Sequence, residues 1–226
     1  MLMLKKILTI ISDCIRFFLI YMPGGLGRKL RYWYYKKRLK ECGKNVIIDV
    51  GVIIEGPEWI SIGDNVWIDK YCSLIAGKVN LEGSIAKKKE NKDFKWEPGE
   101  LIIGSSVHIG AFNILQAHGG LYIGNNVTTS AGVKIYSLSN YPYDEQNKEV
   151  ITFANCMVRE RDRVSYIISP IVVEDRVWIA LDCLILGGTI GNSSFISSQS
   201  IVYKDIPENS YASGRPAEKI KERFKL

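Results

Sequence analysis

Aliphatic residues return at every sixth position through LIIGSSVHIGAFNILQAHGGLYIGNNVTTSAGVKIYSLSN, the stretch from Leu101 to Asn140. Ile103, Ile109 and Leu115 open the series, and after a two-residue slip Ile123, Thr129 and Ile135 continue it. Small or β-branched residues stand four further on, at Val107, Asn113, Gly119, Val127 and Val133. An α-helix repeats about every 3.6 residues and a strand every two, so neither explains a period of six. A hexad is instead one short strand plus a turn, the unit of a parallel β-helix. Three hexads close a triangular coil, so residues about 18 apart stack at the strand spacing of roughly 4.8 Å and the aliphatic ones form an inward column.

The same rhythm runs before this block, through Ile48, Ile54, Ile60 or Ile62, the run Ile62-Gly-Asp-Asn-Val66, Ile68 and Leu74. It returns after the block at Val173, Ile179, Leu184, Ile190-Gly-Asn-Ser-Ser194, Ile196 and Val202. The pattern predicts a mainly β chain with a solenoid over residues 45–206. An N-terminal helical segment, 1–44, precedes it, and a capping segment ending in a short basic helix, 207–226, follows. Such a helix would cover the open end of the solenoid, where strand edges are otherwise unpaired.

Two stretches leave the rhythm, about 78–100 and 138–170. The first, with its run AKKKENKDFKWEPG, reads as a solvated excursion whose Phe94 and Trp96 are able to fold back and line a cleft. The second is too long for an inert connection and carries Tyr141, Tyr143, Phe153, Met157 and Tyr166, which argues for a functional loop. Ahead of the solenoid, residues 4–22 are apolar but broken by Asp13 and Arg16, short of the roughly 20 apolar residues that cross a bilayer. Pro23-Gly24-Gly25 ends that helix, and LGRKLRYWYYKKRLKEC begins a second, giving a helical hairpin.

Charge refines this picture. The net +6 is concentrated: Arg28 to Lys44 holds eight basic residues and one acid, Glu41, interleaved with Tyr32, Trp33, Tyr34 and Tyr35. That composition suits a lipid headgroup region. Two readings stay open for residues 4–40, peripheral contact with a membrane or packing on the body or a sister subunit. Nucleic-acid binding is disfavoured, because the basic run belongs to no recognisable module. Five scattered cysteines without a CxxC, and no cleavage site after the first apolar run, read as reduced thiols in a cytoplasmic protein, with the inner membrane face as its further address if the hairpin touches lipid. Two histidines and these cysteines lack the spacing of a metal site.

The motifs IGDNVWI at 62–68, IGNNVTTSAGVKIYS at 123–137, VVEDRVWIALDCLILGGTIG at 172–191 and IVYKDIPENSYASGRPAEKIKERF at 201–224 resemble the hexapeptide-repeat acyltransferases, proteins with a left-handed β-helix. Within that family they are similar to the branch that O-acetylates sugars of capsules and O-antigens. The resemblance implies a homotrimer, acetyl-CoA in the groove between neighbouring prisms, a saccharide acceptor and a histidine as general base.

A base near neutrality suits removal of a hydroxyl proton during attack on a thioester. The chain offers His108, at an outward strand position, and His118, in Gln116-Ala117-His118-Gly119-Gly120 where the hexad count slips. A glycine-rich corner lets a side chain project and a backbone approach a ligand, which favours His118 without removing His108. One coil on from His118 lies Leu138, at the root of the second loop; 18 residues back lies Glu100, a candidate to orient the ring. Many members of the family carry a histidine just after the strand equivalent to Ile135-Tyr136-Ser137. This chain reads Leu138-Ser139-Asn140-Tyr141 there, which leaves Asn140 as the polar candidate of that segment.

For the cofactor the resemblance points to the last coils: Trp178, Ala180 in place of the usual glycine after Val-Trp-Ile, Gly188, Ser197 and Ser198, with Lys204 and Arg215 for phosphates. Backbone N–H groups near Ala180 and Ser198 are candidates to polarise the thioester carbonyl. Three functions are compatible with these residues: saccharide O-acetylation, N-acetylation of a nucleotide-linked amino sugar, and a catalytically silent trimeric scaffold.

Overall fold

In the computed structural model, which describes residues 2–81, 85–141 and 165–225, the hexads close into a three-faced prism. The chain is mainly β, with two helices and parallel sheets. The first face stacks strands such as Leu101–Ile103, Leu121–Ile123 and Ile171–Val173, the second His108–Ile109, Thr128–Thr129 and Trp178–Ile179, and the third Ile114–Gln116, Lys134–Tyr136 and Leu184–Ile185. Register follows the sequence period: Ile103 pairs with Ile123, Ile109 with Thr129 and Leu115 with Ile135. All six are at most 1 % exposed. Each buried isoleucine contributes about 2 kcal/mol, and backbone hydrogen bonds join each coil to the next. In the last coils the inward residue of the third face is Ile185 rather than Leu184, because six residues on from Ile179 falls there.

The edge between first and second faces turns through a left-handed residue in each coil, at Asn45, Asn65, Ser106, Asn126, Arg176, Ser193 and Asn209, with φ between 51° and 60°. Asparagine tolerates that conformation better than most side chains, which explains its recurrence there. Six residues separate inward positions at two of the edges in every coil, as from Ile103 to Ile109 and from Ile109 to Leu115. The edge from third to first face is different: eight residues run from Leu115 to Ile123, but five from Ile185 to Ile190. A middle coil therefore takes twenty residues, from Ile103 to Ile123, and a late one seventeen, from Val173 to Ile190. Both excursions leave from this variable edge.

The excursions are tied to each other. Ile85–Lys88 pairs in parallel with Ser165–Ile168, which pairs antiparallel with Leu138–Tyr141, making a small separate sheet. Most of the first excursion is exposed, and its Phe94 and Trp96 fold back onto the prism. Trp96 stacks on Tyr122 at 4.2 Å between centroids, Phe94 packs against Gly120, and Thr189 donates to Asp93 at 2.7 Å. Both aromatic rings are half-buried against the first face. Tyr143, Phe153 and Met157 lie outside the described residues.

The expected C-terminal helix is a β-hairpin. Ser210–Gly214 continues the second face by pairing with Phe195–Ile196, and Ala217–Glu222 pairs antiparallel with it. An open sheet edge with free donors captures the strand, and Pro216, which lacks an N–H, sits in the turn. Glu218, Lys219, Lys221 and Glu222 then charge the last edge against further pairing.

At the other end, α1 (Leu2–Tyr21) and α2 (Gly24–Lys36) form the hairpin. Arg31, fully buried, joins three elements: its Nη1 donates to the Leu19 and Met22 carbonyls at 2.7 Å, and its Nε donates to the Ile48 carbonyl at 2.8 Å. It thus caps the end of α1 and ties it to the first coil. Beside it Arg28 donates to Asp49 at 2.7 Å. Burial alone would raise the Asp49 carboxyl, but the Arg28 bond and charge, with the Val50 N–H, hold it below its ordinary value.

Arg31→Leu, which leaves these carbonyls unpaired, is expected to cost about 3 kcal/mol in urea unfolding and to expose α1 to protease; an unchanged midpoint would contradict the linking role. Since the folded Asp49 value is depressed, its contribution is present above the unfolded value of about 3.9 and lost as pH falls through the folded one. The drop in melting temperature between pH 5 and pH 3 should therefore be smaller in Asp49→Asn than in the wild type.

Candidate active site

His118 sits on the variable edge, where the chain leaves the strand Ile114–Gln116 and turns through Gly119 and Gly120 into Leu121–Ile123. The corner is held from both sides. Gln116 makes two bonds to one backbone residue, Nε2 to the Leu138 carbonyl and Oε1 from the Leu138 N–H, each 3.0 Å. The fully buried Ser137 hydroxyl accepts from the Gly119 N–H at 2.8 Å and donates to the Gln116 carbonyl at 2.9 Å. A Cβ on Gly119 would run into the Ser137 carbonyl, and Gly120, at φ +102, carries the Phe94 ring where a Cβ would be. Only glycine permits that close approach.

The imidazole Nδ1 lies 2.9 Å from the Gly77 carbonyl. A carbonyl only accepts, so Nδ1 carries the proton, and in the neutral ring Nε2 keeps its lone pair. His118 lines a cavity of about 530 Å³ with Lys78, Leu138, Ile168 and Pro170. The root of the second loop does rise beside it, as the count to Leu138 predicts.

Glu100 does not orient the ring. Its carboxylate pairs with Lys40 and accepts from the Glu97 N–H at 3.3 Å. The count of 18 residues fails because 78–100 is inserted between coils: Gln116 pairs with Ile75, so the residue stacked on His118 is Gly77, 41 positions back. Treating the aperiodic stretch as an insertion would have found it. Gln116 and Ser137 were likewise missed, although polar residues flanking a glycine corner are the visible sign of a corner that must be tied down. Asn140 is exposed on the excursion strand opposite Tyr166, with no bond to His118. His108 stands outward on the flat second face, its ring 5.5 Å from that of Trp67 and its Nε2 3.9 Å from the Asp69 carboxylate.

The residues carried for the cofactor divide between two edges. Trp178, Ala180, Ser197, Ser198 and Arg215 gather where the second face turns into the third. There the Trp178 indole donates to the Ser130 hydroxyl at 3.1 Å and Arg215 donates to the Gln199 carbonyl at 2.8 Å. Gly188 and Lys204 touch each other on the variable edge, which they share with His118. The Ala180 N–H is taken by the Ile196 carbonyl at 2.9 Å and that of Ser197 by Ala212 at 2.9 Å, so the proposed donor at Ala180 is spent in the ladder; Ser198 is exposed. Exposed Ser198, Lys204 and Arg215 suit an elongated, phosphate-bearing ligand. Burial pushes the Cys72 thiol up to about 12, which removes it as a nucleophile.

Gly119→Ala is expected to displace the corner, lowering the melting temperature by several degrees and shifting the His118 ring resonances; unchanged resonances would show that the corner does not fix the ring.

No protein-family model matches the chain. It is 33% identical over 129 residues to galactoside O-acetyltransferase of Escherichia coli, covering 53% of this chain and 55% of that protein. Over 56 residues it is 38% identical to WcaF of Escherichia coli, named as a colanic acid biosynthesis acetyltransferase, covering 24% of this chain and 31% of that one. The chain thus spans about half the length, or less, of these relatives. Its fold is shared with AntD, an N-acyltransferase from Bacillus cereus solved with dTDP and coenzyme A: TM-score 0.65, 22% identity, 85% of this chain and 89% of that one. It is shared too with the hexapeptide-repeat acetyltransferase VCA0836 of Vibrio cholerae, solved with acetyl-CoA: TM-score 0.53, 18% identity, 95% and 86%. In these stretches of sequence the chain is similar to acetyltransferases, and its prism is the fold that it shares with a hexapeptide-repeat acetyltransferase.

Proposed function

We propose that this chain is an acetyl-CoA-dependent O-acetyltransferase acting on a saccharide hydroxyl of a capsule or O-antigen type glycan, or its lipid-linked precursor, at the inner face of the cell membrane. The observation that carries this reading is the His118 imidazole, fixed through Nδ1 by the Gly77 carbonyl in the wall of a cavity. Nε2 takes the acceptor proton as the hydroxyl oxygen attacks the thioester carbonyl. The C–S bond then breaks, and the imidazolium returns the proton to the departing thiolate. The backbone carbonyl does for the ring what a carboxylate does elsewhere, selecting the tautomer and orientation without adding a negative charge.

The division of the cofactor residues between two edges supports a trimer. A second-to-third edge of one protomer set against the variable edge of its neighbour would bring Trp178, Ser198 and Arg215 to His118, and no single prism does so. The sugar acceptor draws support from galactoside O-acetyltransferase, named for a galactoside, and from WcaF, named for colanic acid biosynthesis. A second reading, N-acylation of a nucleotide-linked amino sugar, is favoured by the fold shared with AntD over most of both chains. Matched acceptors bearing a hydroxyl or an amine separate the two.

Acetyl-CoA should raise the melting temperature of wild type and His118→Ala alike, by mass action. His118→Ala should lose about 10²–10⁴-fold in acetyl transfer, measured with radiolabelled acetyl-CoA and a saccharide panel. Retained transfer in His118→Ala would move the base elsewhere, and the absence of a shift in both proteins would remove the cofactor.

A further inference from the structure

A surface helix packed on a protein normally turns apolar residues inward and polar ones out. The α2 helix buries Gly27, Arg31 and Tyr35, four apart, yet its opposite face is not polar. Leu26 is 65% exposed, Leu30 39% and Trp33 69%, at the spacing of one helical stripe. Exposed Lys29, Lys36 and Lys37 border the same stripe. At the end of α1, Phe17, Phe18 and Tyr21 are each more than half exposed, with Phe17 and Tyr21 rings 5.0 Å apart. From Cys14 to Lys40 the sequence holds no acidic residue.

We propose that the outer face of α2, with the exposed end of α1, docks the protein on an anionic lipid surface. Indole and phenyl groups settle at the headgroup boundary, and lysines extend their methylenes along the apolar face while their ammonium groups meet lipid phosphates. No helix among the described residues is long and apolar enough to cross a membrane, so the hairpin lies on the surface. A second copy of the chain is the less suitable occupant. A self-complementary contact would set the lysines that border this stripe against one another, whereas an anionic leaflet complements them. The buried face, with Arg31 and the Arg28–Asp49 pair, fixes the docking helix rigidly to the first coil. Docking of this kind is independent of acetyl transfer.

The test is co-sedimentation of the full chain with vesicles of phosphatidylcholine alone or doped with phosphatidylglycerol, at low and physiological salt. Binding is expected to the anionic vesicles and to weaken with salt. Leu30→Glu/Trp33→Glu and, separately, Lys29→Glu/Lys37→Glu should each lower partitioning about tenfold or more. These side chains are exposed, and superimposable melting curves verify the fold; Trp33→Ala and Lys29→Gln/Lys37→Gln are milder versions expected to move the same way. Wild-type protein left in the supernatant, or binding indifferent to the substitutions, would overturn the proposal. So would a lower molecular mass in light scattering for Leu30→Glu/Trp33→Glu, which would assign the face to a second copy. Neither result depends on whether acetyl-CoA binds.

Discussion

No coil of this protein can exist alone. Each prism strand ahead of the C-terminal hairpin is two or three residues long, and its N–H and C=O groups find partners in the coils above and below. The inward column completes the constraint, because an aliphatic side chain from one coil is buried only when the next is in register. Everything else is an accommodation to this stacking. The helical hairpin and the C-terminal β-hairpin occupy the two ends, where the ladder would run out.

The same constraint decides where chemistry can be placed. Side chains pointing inward are consumed by the core, and those on flat faces, such as His108 beside Trp67, have neighbours above and below but no concavity. An edge leaves room for a cleft, and an edge with extra residues leaves backbone free to hold one. His118 stands at such a place, its corner tied by Gln116 and Ser137 and its ring by Gly77. The protein obtains a directed imidazole from backbone carbonyls and hydroxyls, without a buried carboxylate and its desolvation cost.

The period of six makes the prism legible in the chain itself, down to Ile103, Thr129 and Ile135 as inward residues, since a mismatch at any of them would break the stacking. It also locates His118, because a slip in a strict repeat marks a corner that departs from it. Glu100 shows where such counting ends. It is reliable only while no insertion lies between the two coils, and sequence separation ceases to measure height along the prism once one does. The C-terminal segment escapes for another reason: AEKIKERF has the composition of a helix, and its strand conformation is imposed by the edge it meets. Propensity yields there to tertiary pairing.

The unequal edge carries a broader consequence. Two edges keep six residues per step through the whole prism, while the third varies from four to eight or opens into an excursion. Length can change there without altering any register. The molecule therefore separates its framework from its variable edge: mutation can lengthen, shorten or replace what surrounds His118 while the stacked core is inherited intact. An architecture built this way is free to vary the surroundings of one edge at little risk to folding.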